Sequence, residues 1–220
     1  MPVNSSPVPA LLPAPPAMSG LSRRYLALWC PFLSTDRLRP VTSGDTRANA
    51  PFVLVEKAKG ALAIAALNAG AAGLGLRLGM TLAQARALVP DIATGKADAD
   101  ADSCFLNALA DACEIFTPLV ALHGADGLIL DITGCAHLFG GERALESTAR
   151  QRLHRGGAQI LAAIAGTPDA AWAFARFRPG TITRPGEEEG LARKLPITAL
   201  DQDSATTLAL SRAGLCTLGD

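Results

Sequence analysis

The 220-residue chain has no net charge, no C-x-x-C motif and no long apolar run. Its twenty Lys and Arg balance twenty Asp and Glu, so there is no global electrostatic footprint for nucleic acid, although a basic groove can sit on a neutral protein. The five cysteines (Cys30, Cys104, Cys113, Cys135 and Cys216) are scattered and odd in number, which reads as reduced thiols in a cytoplasmic protein. The three histidines, His123, His137 and His154, do not fall at ligand spacing with them, which argues against zinc. No stretch reaches the roughly eighteen apolar residues of a membrane span, so no membrane association is expected. The first twenty residues hold six prolines and neither Lys nor Arg, unlike a secretory leader, and residues 1–22 read as a disordered Pro/Ala-rich tail. Lysine is also missing from Ala97 to Arg193.

What is present supports a folded α+β protein. Hydrophobic residues make up 49% of the chain, enough for a substantial core. Tyr25 to Cys30, Phe52 to Glu56, Ala61 to Leu67, Leu128 to Ile132 and Gln159 to Ala165 read as buried strands. Thr81 to Val89 is predicted as a helix capped by Thr81 and stopped by Pro90. Further helices are predicted over Asp102–Phe116, 141–154, Pro168–Phe177 and 204–213. Asn68 to Gly79 is rich in Gly and Ala and reads as a loop with one helical turn. No Lys-Ser/Thr follows its glycines as a phosphate-binding loop requires.

The stretch from His123 to Glu142, HGADGLILDITGCAHLFGGE, carries two aspartates around an apolar strand. Side chains alternate along a strand, so the odd spacing sends Asp126 and Asp131 to opposite faces. The strand therefore offers a single carboxylate to any one site. Asp131 suits a cap on the turn at Thr133-Gly134. His137, in the Gly-rich turn, reads as a surface histidine rather than a phosphate contact. The cations Arg150, Arg152, His154 and Arg155 favour the end of a helix through its dipole.

Three segments together resemble the Y-family (translesion, UmuC/DinB-type) DNA polymerases, and more closely their ImuB-like accessory branch. In active members the first strand ends in D-x-D-x-F-F/Y; here the matching stretch is Trp29-Cys-Pro-Phe-Leu-Ser34. Trp29 stands at the metal-binding Asp and Ser34 at the steric gate. Gly75-Leu-Arg-Leu-Gly-Met-Thr81 resembles the fingers motif G-V-R-S-G-M-P. The Tyr and Arg that hold the triphosphate upstream of it fall on Ala69 and Ala72. The acidic motif S-x-D-E-x-x-L-D-V-T becomes Gly124-Ala-Asp-Gly-Leu-Ile-Leu-Asp-Ile-Thr133, which keeps Asp126 and places Gly127 at the adjoining Glu. The triphosphate lysine of a later helix has no counterpart in Ala165 to Arg176.

The resemblance implies a palm over 24–166 with a mixed sheet, small fingers inserted at about 34–90, and a partial helical thumb over 167–220. The thumb is expected to be truncated at Asp220. Two-metal phosphoryl transfer needs clustered carboxylates around cations roughly 4 Å apart. With Trp29 and Gly127 at two of those positions, neither a catalytic set nor a metal is expected, and Asp126 is at most a weak residual ligand. No nucleotide contact is expected from Ser34, Ala69 or Ala72. Arg77 is the candidate DNA contact, weighed against plain solvation of its loop.

The implied role is a non-catalytic scaffold in damage-induced mutagenesis. Its implied partners are an error-prone replicative-type DNA polymerase subunit, an ImuA-like RecA-fold protein and the β sliding clamp. The clamp-binding motif of the family lies beyond the polymerase-like core. The alternatives are an active polymerase with an atypical Mg²⁺ site, or a module that holds primer-template DNA without synthesis.

Overall fold

The computed structural model describes residues 22–38, 50–58, 60–184 and 186–220. Nearly all of the expected N-terminal tail, and part of the expected fingers insertion, lie outside them. After β1 (Tyr25–Trp29) comes α1 (Leu33–Leu38). An inserted unit follows: β2 (Phe52–Ala58), β3 (Ala61–Leu67), α2 (Ala69–Gly73), α3 (Leu82–Leu88) and β4 (Ala93–Lys96). The chain then runs through α4 (Ala99–Cys113), β5 (Val120–His123), β6 (Gly127–Asp131), α5 (Glu142–Arg155) and β7 (Leu161–Ala165). It finishes with α6 (Pro168–Phe177), α7 (Glu188–Ala192) and α8 (Ser204–Arg212).

Two sheets result. The larger has the order β5-β6-β1-β7 with antiparallel pairing throughout, and a parallel bridge from Ile164 to Ile182. The smaller, β3-β2-β4, is mixed, because β2 pairs antiparallel with β3 and parallel with β4. The strand alternation of β1 assigns each face of the larger sheet its own core. Leu26 and Leu28 join Leu128, Leu130 and Ile164 beneath α4 and α5, which contribute Leu106, Leu109, Leu145 and Leu153. Ala27, Ile129, Ala163 and Ala165 face the other way, under Trp172 and Phe174 of α6. The small side chains on this second face let α6 lie close to the sheet.

Local chemistry sets the element ends. Thr81 and Gln84 form a reciprocal capping box at α3, each side chain bonding the other's backbone N–H at 3.2 and 2.9 Å. Thr167 caps α6 with Pro168 in its first turn. Asp98 accepts from the Ala101 N–H at 3.0 Å, so α4 starts at Ala99, one turn before the Asp102 expected from periodicity. Within the Gly/Ala-rich stretch, Asn68 accepts from the N–H groups of Phe52 and Ala71 and donates to the Ala50 carbonyl. That buried amide ties α2 to the start of β2.

Three further elements are absent from the sequence reading. The short α1, β4 and β5 carry too few residues for periodicity to register. Pairing of β4 with β2 extends the smaller sheet to Lys96. The helix α6 packs on the larger sheet.

Candidate functional site

The site sits where β1 and β6 end side by side. Trp29 pairs directly with Gly127 in the antiparallel register, and the Cys30 N–H donates to the Asp126 carbonyl at 2.8 Å. Three sequence-selected positions, Trp29, Asp126 and Gly127, are thus brought together. Their chemistry differs from that of a carboxylate cluster. The Trp29 indole Nε1–H donates to Asp126 Oδ2 at 2.9 Å. An indole nitrogen is a donor with no lone pair to offer a cation. Gly127 contributes no side chain, so one carboxylate remains and an indole already occupies one of its oxygens. Among the described residues no three His, Cys, Asp or Glu side chains are grouped to hold a metal ion.

In front of these strand ends lies a cleft of about 430 Å³ between the two sheets. Cys30, Pro31, Phe32 and Ser34 form one wall, and Ala65, Ala66, Leu67 and Leu78 of the inserted unit form the other. Asp102 and Ser103 of α4 and Asp126 complete it. Ser34 therefore lines the cleft from α1. Ala69 and Ala72 sit exposed on α2, and Arg77 is exposed in the turn after it. None of these three lines the cleft, and two methyl groups provide no grip on a charged ligand.

Two ionisable groups brace α1 behind this wall. Arg37 Nε donates to Asp102 Oδ1 at 2.6 Å and joins α1 to α4. Asp36 is buried and accepts from the Gln159 N–H at 2.7 Å. Burial pushes its carboxyl up to about 7, while the Gln159 bond works against the rise. Burial also raises the Cys30 thiol far above its ordinary range, helped by the nearby charges of Asp126 and Asp36. A thiol held in that state is a poor nucleophile and a poor metal ligand.

Sequence reasoning missed what covers the second face. The Trp172 ring lies directly over Gly127, where an added Cβ would collide with it. His123 lies against Trp172 with the two rings tilted by 53° and their centroids 4.4 Å apart. The Trp172 Nε1–H donates to Asp201 Oδ2 at 3.2 Å, and Arg176 Nη1 bonds Asp201 Oδ1. The Arg176 guanidinium stands 5.8 Å from the Trp29 ring centroid and 5.7 Å from that of Trp172. An unusual tryptophan in an Ala-rich helix was the available signal, but its target glycine is remote in the chain.

At the other end of β6, Asp131 Oδ1 accepts from the Thr133 N–H at 2.9 Å, as expected for a turn cap. Thr133 Oγ1 in turn accepts from the Arg24 N–H at 3.0 Å. Arg24 then reaches Glu142 at 2.5 and 2.7 Å and the Thr183 carbonyl at 2.7 Å. This end is a structural network that joins β1, β6 and α5.

The impB/mucB/samB family model matches residues 43–176, more than half of the chain. The chain belongs to the impB/mucB/samB family. Two curated relatives, each named Protein ImuB and from two strains of Caulobacter vibrioides, are 47% identical over 147 residues. These matches cover 66% of this chain and 32% of each relative, so the chain spans about a third of their length. Among solved structures, DinB from Sulfolobus solfataricus has a TM-score of 0.71 at 18% identity, covering 89% of this chain and 58% of that one. A Y-family DNA polymerase chimera built on Dbh scores 0.72 at 17% identity, covering 90% and 59%. An insertion ternary complex of Dbh DNA polymerase scores 0.70 at 18%, covering 89% and 59%. At such identities the structures establish the fold, a Y-family polymerase-like α+β palm. The impB/mucB/samB chain is therefore an ImuB-like Y-family homologue. None of its helices among the described residues is long and apolar enough to cross a membrane.

Proposed function

We propose that this chain is the polymerase-like part of a non-catalytic protein of the bacterial DNA-damage response, working in the cytoplasm as a scaffold for translesion synthesis. The observation that carries the reading is the Trp29–Asp126 hydrogen bond beside a side-chain-free Gly127. Two-metal catalysis requires several carboxylates that converge on a pair of cations. A single carboxylate bonded to an indole does not fit that requirement, because Mg²⁺ needs near-octahedral oxygen ligation. The ImuB relatives, at 47% identity, support the assignment to DNA repair.

In this reading the polymerase-like fold provides a platform for other proteins: an error-prone replicative-type polymerase subunit, an ImuA-like RecA-fold protein and the β sliding clamp. Primer-template DNA is a further candidate ligand. Primer extension with the purified full chain in Mg²⁺ tests the catalytic half of the reading. No extension is expected. Metal-dependent nucleotide addition would replace it with an active Y-family polymerase that has an atypical metal site. Co-purification of the partner polymerase and clamp with the intact protein tests the scaffold half, and failure of both to associate would sink it. Salt-sensitive DNA binding without synthesis and without protein partners would favour a DNA-holding module instead.

A further inference from the structure

The carboxylate positions of this chain are built over as well as depleted. Trp172 is 4% exposed and lies against Gly127, so a Cβ at that position would meet its ring and come within 2.9 Å of the His123 carbonyl oxygen. The same indole donates to Asp201, which also accepts from Arg176 and lies 3.9 Å from His123 Nε2. Arg176 spreads over Trp29, Trp172 and Phe177, all within about 6 Å, the range of a cation–π contact. Asp201 is the one non-glycine residue with positive φ among the described residues, at 55°. Backbone of that kind persists where surrounding contacts hold it.

We infer that these residues form a latch. The position that the resemblance sets against the Glu adjoining Asp126 is used here to fasten the segment around Ile197–Leu200 and Asp201 onto α6 and the sheet. The indole of Trp172 is the bolt, seated on Gly127. Arg176 is the strap, bonded to Asp201 on one side and stacked on Trp29 on the other. Restoring carboxylates at 29 and 127 therefore does not restore a cation site, because any side chain placed on Gly127 competes with the Trp172 ring for one volume. This extends the non-catalytic reading, but its test is read on stability, so either can fail without the other.

A double-mutant cycle in the full chain tests the latch. Gly127→Ala is expected to lower Tm by roughly 3–10 °C, the range for overpacking a chain of this size. In a Trp172→Leu background the same methyl should cost less than about a third of that shift. Equal shifts in both backgrounds would overturn the inference. A milder variant, Asp201→Asn, covers the case in which Trp172→Leu does not fold. Hydrogen exchange should then accelerate at least about tenfold in residues 197–202 while β1, β6 and β7 keep their protection. Unchanged exchange in 197–202 would also overturn the latch. The W29D/G127E chain should show no Mn²⁺ binding by electron paramagnetic resonance, and tight binding at unaltered Tm would refute the competition for volume.

Discussion

The two ends of β6 are a few residues apart yet follow different rules. At the Asp131 end, a carboxylate caps a turn whose threonine receives the Arg24 N–H, and Arg24 itself grips Glu142. Arg24 also donates to the Thr183 carbonyl, and its Nη1 lies 3.7 Å from Glu188 Oε1. At the Asp126 end, where the sequence resemblance sets Trp29, Asp126 and Gly127 against a polymerase's metal ligands, the contacts are an indole hydrogen bond and an aromatic lid. The comparison separates a motif's two tasks. Holding the strand in register depends on the apolar alternation and the turn cap, which remain. Holding cations depends on clustered carboxylates, which Trp29 and Gly127 do not supply.

The largest effect should come from the shared middle of the strand. Leu130→Ala removes a fully buried side chain and is expected to cost about 3 kcal/mol in denaturant unfolding. A loss near zero would mean the strand is not the spine of both ends. Next is Asp36, behind the Asp126 end. The carboxyl of the folded chain is raised to about 7, while an unfolded Asp ionises near 3.9. The folded group binds its proton more tightly, so its contribution is fully present below about pH 4 and is lost as pH rises toward 7. Asp36→Asn keeps an acceptor for the Gln159 N–H. It should flatten that pH slope and add about 2 kcal/mol at pH 8. A variant whose stability still falls between pH 4 and 7 like the parent's would remove Asp36 as the cause.

Smaller effects sharpen the contrast directly. Asp131→Ala should cost about 1 kcal/mol, the usual loss of a local cap. Asp126→Asn retains an acceptor for the Trp29 N–H and should change stability by less than about 0.5 kcal/mol. A larger loss at Asp126 than at Asp131 would reverse the contrast in structural weight between the two ends. Arg77→Ala, in the exposed turn, should leave unfolding unchanged within about 0.5 kcal/mol. A filter-binding assay on primer-template DNA would show whether that arginine contributes to affinity.

Much of this was legible in the sequence because it is local. The Asp131 cap on Thr133 follows from a short side chain two residues before a Gly turn, and α6 follows from Pro168 in its first turn. The likeness of Trp29, Asp126 and Gly127 to a depleted acidic motif was also readable from residue identity. Periodicity put the start of α4 a turn late, since Asp98 caps from outside the apolar pattern. The strands β4 and β5 went unread, because four-residue strands with half-exposed patterns are specified by their partners β2 and β6.

The sequence alone determined the alternation of strands and helices and, through its motifs, the likeness to the Y-family, since each is a matter of which residue stands where along one strand or helix. Only the tertiary structure decided what surrounds Trp29 and Gly127. Trp172, Arg176 and Asp201 converge on Gly127 and Trp29 through the packing of α6 on a sheet face of small residues. Such contacts between remote segments depend on the close fit of a three-dimensional core, and no spacing along the chain encodes them.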